Sequence, residues 1–219
     1  MRSFRMLAVV TATAGALVLA APAATAAPAP TVPSADAQQS IGPAEATSSK
    51  PVIAFYRGQR IDLSKGWGGA GVCTEVTGGD VYCHDSVAEA DAAIAVIDPA
   101  LAEAAKAAPA VPAGAGLSLQ EPVKCEAGQA CLWEHANATG DVLRWTQPGT
   151  KYLSDYGFRD KASAACVFRS SGNLAIYDDR TLQPDPLVVL SPNGYCYDLS
   201  TFGYPYGGNW NDKADYVNL

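Results

Sequence analysis

The chain has 219 residues, with 15 Lys and Arg against 22 Asp and Glu, and a formal net charge of −7. Because nucleic-acid phosphates are bound by basic surfaces, this balance argues against a nucleic-acid partner. Only two histidines are present, and neither lies in a nucleophile-elbow or zinc-peptidase motif, so we expect a protein that is not an enzyme.

Residues 1–26 have the pattern of a secretory signal peptide. Two arginines precede an apolar run from Met6 to Ala21, and a small-residue cleavage site of A-x-A form ends at Ala26. The run is followed by Pro and Ala rather than by a cluster of charges, which argues against a membrane anchor. The sequence therefore predicts a secreted, extracellular protein with no membrane association.

Three further segments precede the C-terminal half. Residues 27–50 are rich in Ala, Pro, Ser and Thr, and are predicted to be a disordered leader, the alternative being a pro-segment that is later removed. Residues 51–108 are predicted to be a small disulfide-containing α+β domain, with a short sheet and a helix that begins at the capping box of Ser86 and Glu89. Residues 109–121 have the composition of a linker.

Residues 122–219 contain one unit written twice. The block 158–163, an aromatic residue followed by Arg-Asp-Lys-Ala-Ser, returns as 210–215, and 153–157 matches 199–203. Each copy also begins with an alternating segment that ends in an aromatic and an acidic residue. An internal repeat of this length is typical of one supersecondary unit used twice. We therefore expect a mainly β fold in which two four-stranded Greek keys pack as a sandwich.

Two loops of this repeat region are candidates for a binding surface. One is stiffened by prolines, which reduces the entropy lost on docking, and its candidate residues are Pro184, Pro186 and Leu187. The other is a six-residue insertion of the second copy, 204–209, and Tyr and Trp are frequent interface anchors. Its candidates are Tyr204, Pro205, Tyr206 and Trp210. The alternative for this second loop is that its aromatic residues cover one end of the sandwich.

Six cysteines in an exported chain predict three disulfides, for which the sequence allows fifteen pairings. Spacing favours local closures. Cys73 and Cys83 flank a glycine turn, and Cys125 and Cys131 bracket a five-residue segment, which leaves Cys166 and Cys196.

The repeat region resembles the βγ-crystallin superfamily. That family's first-strand signature fits at Trp133 and Gly140, while Ala138 stands where a second aromatic residue is usual. The Cys-x5-Cys opening at Cys125 resembles the streptomycete metalloproteinase inhibitor family of secreted peptidase inhibitors. In that family a reactive bond lies at a Cys-Val step. The step Cys166-Val167 is present here, but we favour a core strand for it, because it follows the Asp-Lys-Ala-Ser block directly.

The superfamily resemblance also implies a possible calcium site, because calcium prefers a ring of carbonyl and carboxylate oxygens. The second copy offers Asn211, Asp212 and Asp215, whereas in the first copy the cation of Arg159 would repel Ca²⁺. The alternative is that these residues only hydrogen-bond local amides in an Asx-turn. We expect no other cofactor.

Two functional hypotheses follow from the resemblance. The first is a secreted, monomeric inhibitor of metalloendopeptidases that inserts a rigid loop into the cleft of an extracellular peptidase. The second is a non-inhibitory extracellular βγ-crystallin module, structural, toxin-like or stabilised by calcium.

Overall fold

The structure is a computed structural model that describes residues 50–107 and 125–219. The expected signal peptide, nearly all of the leader and the linker lie outside the described residues. Within the described ranges, no helix combines the length and the apolar character that crossing a bilayer requires.

The first described range contains four strands followed by two helices. These elements are β1 Ile53–Tyr56, β2 Gln59–Asp62, β3 Val72–Glu75, β4 Val81–His84, α1 Val87–Ile97 and α2 Pro99–Ala107. The capping box predicts the start of α1 correctly, because the Ser86 side chain accepts a hydrogen bond from the Glu89 amide at 3.3 Å. Helix α2 begins at Pro99, and the Asp98 carboxylate caps it by accepting from the Leu101 amide at 3.1 Å.

The second described range contains eight strands, four from each copy of the repeat. The first copy supplies β5 Ala130–His135, β6 Thr139–Trp145, β7 Thr150–Tyr152 and β8 Ala164–Val167; the second supplies β9 Leu174–Tyr177, β10 Leu187–Leu190, β11 Cys196–Asp198 and β12 Tyr216–Asn218. The strand orders are β11-β8-β5-β6-β3-β4-β1-β2 in one sheet and β10-β9-β12-β7 in the other. The mainly β fold with a small helical part is confirmed.

The two copies are interlocked. Each copy places its first, second and fourth strands in one sheet and contributes its third strand to the other sheet. Reciprocal backbone hydrogen bonds join them: the Leu153 amide donates to the Asp215 carbonyl, and the equivalent Leu199 amide donates to the Ser163 carbonyl, both at 2.9 Å. Residues at equivalent positions of the two copies thus make equivalent backbone hydrogen bonds.

The sheet of the first range continues into the repeat region. Strand β3 pairs in parallel with β6, so that Cys73 lies opposite Leu143. The sequence predicts separate domains at 51–108 and 122–219, whereas the described parts of these ranges share one eight-stranded sheet and one hydrophobic core. The reason is that β6 would otherwise be a sheet edge with unpaired backbone groups.

Side chains reinforce this junction. The indole of Trp67 stacks on Phe158 with ring centroids 5.6 Å apart and donates a 2.6 Å hydrogen bond to the Tyr156 carbonyl. Gly157 has a positive φ of 61°, and the space where a Cβ would stand is taken by the backbone of Leu63. Only glycine allows this close approach of the two chain segments.

Three disulfides are present, and they join the pairs that the cysteine spacing favours. They link Cys73 to Cys83, Cys125 to Cys131, and Cys166 to Cys196. The last of these joins neighbouring strands β8 and β11, one from each copy. It therefore ties the two copies together covalently within the larger sheet.

Candidate binding surface

The proline loop, residues 178–186, connects β9 to β10 and is closed at its base. The Asp178 amide donates to the Pro186 carbonyl at 3.2 Å, and the Arg180 amide donates to the Asp185 carboxylate at 2.9 Å. Pro186 is buried, whereas Thr181 to Asp185 are exposed. The loop is thus a projection whose two ends are held together.

A buried carboxylate supports the loop from below. Asp215 is 5% exposed, and it accepts a 2.6 Å hydrogen bond from the Asp179 amide and forms an ion pair with Arg159. Burial raises the pKa of Asp215 to about 7, against the opposing effects of the Asp179 amide and the Arg159 cation. The position of the loop therefore depends on a carboxylate from the second repeat block.

The aromatic loop, residues 204–210, folds back on itself. The Tyr204 amide donates to the Gly208 carbonyl at 3.1 Å, and the Gly207 amide donates to the Tyr204 carbonyl at 3.0 Å. Trp210 is 2% exposed, and Tyr204 packs edge-on against it with centroids 5.3 Å apart. These two rings therefore belong to the core, and Pro205 and Tyr206 are the aromatic-loop candidates that remain on the surface.

The two loops, which the sequence offers as separate candidates, lie against each other. The Tyr206 hydroxyl donates a 2.8 Å hydrogen bond to the Pro184 carbonyl, and the Arg180 guanidinium lies 5.5 Å from the centre of the Tyr206 ring. The Tyr204 hydroxyl bonds to the Asp178 carboxylate at the base of the proline loop. Burial, together with this acceptor, raises the pKa of Tyr204 to about 12, so the hydroxyl stays a donor.

The resulting surface carries several exposed apolar side chains. We name it the double-loop surface, and its apolar members are Leu182 (93% exposed), Leu187 (48%) and Tyr206 (41%), while the exposed Val189 (47%) lies further along β10. Leu182 has the largest exposed fraction of any large hydrophobic residue in the described ranges. Leu182 is not among the candidates that the sequence predicts, although its position as an apolar residue in a polar loop bounded by prolines is a signal that could identify it.

The remaining sequence candidates lie elsewhere. Cys166 and Val167 are fully buried in β8. Asn211 donates through its side chain to Asp212 at 2.6 Å, and Asp212 accepts from the Ser163 hydroxyl at 3.2 Å. Asp215 is directed instead to Arg159 and the proline loop. Within the described ranges no three His, Cys, Asp or Glu residues form a group that could hold a metal.

Comparison with known proteins gives one finding. Residues 120–186 match the model of peptidase inhibitor family I36. The matched segment covers the whole first copy, β9 and the proline loop. Searches of curated proteins and of solved structures gave no match. Because the matched family consists of peptidase inhibitors, it supports a peptidase-inhibitor function and an interaction with a peptidase, and it confirms the expectation that the protein is not an enzyme.

Proposed function

We propose that the protein is a secreted inhibitor of metalloendopeptidases that occupies the cleft of its target with the double-loop surface. The hydrogen bond from Tyr206 to the Pro184 carbonyl carries this proposal, because it joins two loops into one rigid projection. A loop that is already ordered loses little conformational entropy on docking, and its base resists the distortion that cleavage would require. The match of residues 120–186 to an inhibitor family supports the same conclusion.

The interlocked strands support membership of the βγ-crystallin superfamily. Each copy of the repeat is a four-stranded unit whose third strand crosses to the opposite sheet. The signal-peptide pattern of residues 1–26 supports export, and three disulfides are typical of an oxidising, extracellular environment. We propose that the exported protein acts as a monomer.

The test is a titration of the full exported chain against thermolysin and a small panel of other bacterial zinc endopeptidases, read as residual hydrolysis of a fluorogenic peptide. We expect stoichiometric inhibition of at least one peptidase. Replacing Tyr206 by Phe removes one hydroxyl, and the lost hydrogen bond should raise the inhibition constant about 2- to 10-fold.

The matched control for this variant is Tyr195→Phe, since Tyr195 is also a partly exposed tyrosine, 36% exposed, but lies outside both loops. It should leave the inhibition constant unchanged. If micromolar protein inhibits none of these peptidases, the inhibitor proposal fails and the non-inhibitory extracellular module becomes the better reading. If both tyrosine variants behave alike, the loop contact has no part in inhibition.

A further inference from the structure

The proline loop is held at both ends but free at its tip. Before the tip, the Arg180 amide donates to the Asp185 carboxylate, and after the tip, the Pro184 carbonyl accepts from the Tyr206 hydroxyl. The Tyr216 hydroxyl also donates to the Asp185 carboxylate at 3.4 Å. Between these contacts, the side chains of residues 181–183 make no hydrogen bond or ion pair within the part of the chain that the structure describes. The tip is therefore presented outward on a fixed base.

Leu182 at the centre of this tip contributes nothing to the core. Its side chain is 93% exposed, so the free energy available from burying it remains unused in the isolated protein. A single exposed leucine is ordinary. Leu182, however, lies in a loop whose flanking residues are held by three hydrogen bonds. These contacts fix the position of an apolar side chain that is not buried in the fold. Such an arrangement suits a side chain that docks into a partner.

The equivalent connection of the first copy is built differently. Residues 134–141 lie between Trp133 and Val142, the last regular pair of β5 and β6, and they are one residue fewer than the nine of the proline loop between Tyr177 and Leu187. In that connection His135 pairs with Thr139, and residues 136–138 form the bend, with Asn137 and Ala138 at positive φ values of 62° and 55°. The fold therefore does not require a projecting loop at this position, because the first copy closes the same connection.

We propose that Leu182 is the anchor residue of the inhibitor and enters an apolar subsite of the target peptidase. This inference rests on the proposed function. The occupant is a protein pocket rather than a lipid surface, because the two carboxylates of Asp179 and Asp185 outnumber the single cation of Arg180 beside the tip and the whole chain carries a net charge of −7. Anionic lipid would be repelled by this surface, whereas an apolar pocket the size of one leucine would accept the tip.

The experiment measures inhibition constants of full-length variants against each peptidase that the unmodified protein inhibits. Leu182→Ala should weaken inhibition about 10- to 100-fold, the factor expected for one leucine withdrawn from an apolar pocket. Leu182→Met preserves the apolar volume and should retain most of the inhibition, while Leu182→Asp should abolish it. Because Leu182 is exposed, all three variants should keep the melting temperature of the unmodified protein.

Two controls make the result specific. Val96→Ala truncates another highly exposed aliphatic residue, 80% exposed and located on α1, and should change nothing. Gln183→Ala alters the neighbouring tip residue without removing an apolar group, and should have a much smaller effect than Leu182→Ala.

The possible outcomes separate the two proposals. If the unmodified protein inhibits and Leu182→Ala inhibits equally well, the anchor assignment is overturned and the proposed function stands. If Leu182→Met is as weak as Leu182→Ala, the apolar subsite is refuted as the cause. If the unmodified protein inhibits no peptidase in the panel, both proposals are overturned together.

Discussion

Replacing Trp67 by Ala tests whether the first described range and the repeat region form one cooperative unit. Trp67 is 8% exposed and reaches across to the first copy of the repeat, where it stacks on Phe158 and donates to the Tyr156 carbonyl. If the two ranges fold as one, the loss of this side chain must destabilise both. If they fold separately, the repeat region should keep most of its stability.

The expected magnitude follows from the buried area. A buried tryptophan removes roughly 150–250 Å² from water, which at about 25 cal/mol per Å² corresponds to about 4–6 kcal/mol. Measured losses for truncating buried aromatic residues to alanine are about 3–5 kcal/mol. For a chain of this size, that predicts a decrease in melting temperature of about 6–20 °C. Trp67→Phe preserves the stacking but removes the N–H donor, and should cost about 1–3 kcal/mol.

The assay is thermal and urea unfolding, followed by far-ultraviolet circular dichroism and by the near-ultraviolet signals of the three remaining tryptophans, all of which lie in the repeat region. We expect one transition in each variant, with the two probes coincident. Two separate transitions in Trp67→Ala, with only one shifted from its position in the unmodified protein, would refute the single cooperative unit. The wrong order of stability, with the Phe variant below the Ala variant, would refute the assignment of the stacking energy.

Three further predictions concern charged groups. Lys151→Met removes the cation that lies 2.6 Å from the Glu75 carboxylate, which is 5% exposed. Urea unfolding should show a decrease of about 3–5 kcal/mol in the free energy of unfolding, because a buried carboxylate loses its ion pair. A smaller decrease than Glu75→Gln causes would contradict this prediction. Burial lowers the pKa of His84 below its ordinary value of 6.5. As the pH falls through 6.5, the unfolded chain therefore takes up a proton that the folded protein resists, and the free energy of unfolding decreases. In His84→Gln, the free energy of unfolding should therefore decrease less between neutral and acidic pH than it does in the unmodified protein. The same pH dependence in both proteins would contradict this prediction. Ca²⁺ and EDTA should leave the melting temperature unchanged, because donors already engage Asp212 and Asp215; a rise with Ca²⁺ would revive the calcium site.

The features that the sequence predicted well are local or repeated. The start of α1 at Ser86 depends on a side-chain bond within one turn, and the sequence spells it out directly. The glycine hairpin between Cys73 and Cys83 is likewise a local closure. The repeat was visible because the same residues recur at equivalent structural positions, such as Asp160 and Asp212, which both have positive φ values.

The junction between the two described ranges could not be read from the sequence. The sequence of β3 does not reveal whether its second edge is exposed to water or paired with another strand, because strand pairing uses backbone groups that every residue has. The parallel partner β6 lies far along the chain, and no periodicity announces it. Buried polar contacts that cross the junction are visible only in the structure: Arg144 is 1% exposed and donates to Thr74 and to Asp91.

The sequence predicts the two loops of the candidate site but not which of their residues are exposed. Prolines marked one loop and aromatic residues marked the other, but composition could not tell a core ring from a surface ring. Trp210 and Tyr204 are buried, and only the tip residues Pro205 and Tyr206 remain exposed. The contact between Tyr206 and Pro184 joins residues that are distant in sequence, and the bond from Tyr204 to Asp178, directly after β9, brings the two loops together.

The two copies of the repeat have diverged in what covers them, and this difference explains where a binding surface can lie. In the first copy β6 is covered by β3, and Phe158 is covered by Trp67. In the second copy the equivalent β10 is an edge strand with Leu187 and Val189 about half exposed, and Trp210 is covered by the copy's own insertion through Tyr204. The residues from 51 to 108 thus complete the first copy, while the second copy covers its core with the same loop that supports the proline loop. A fragment confined to 122–219 would keep the double-loop surface but expose the edge of β6, so inhibition by the fragment should be limited by its stability rather than by its contacts.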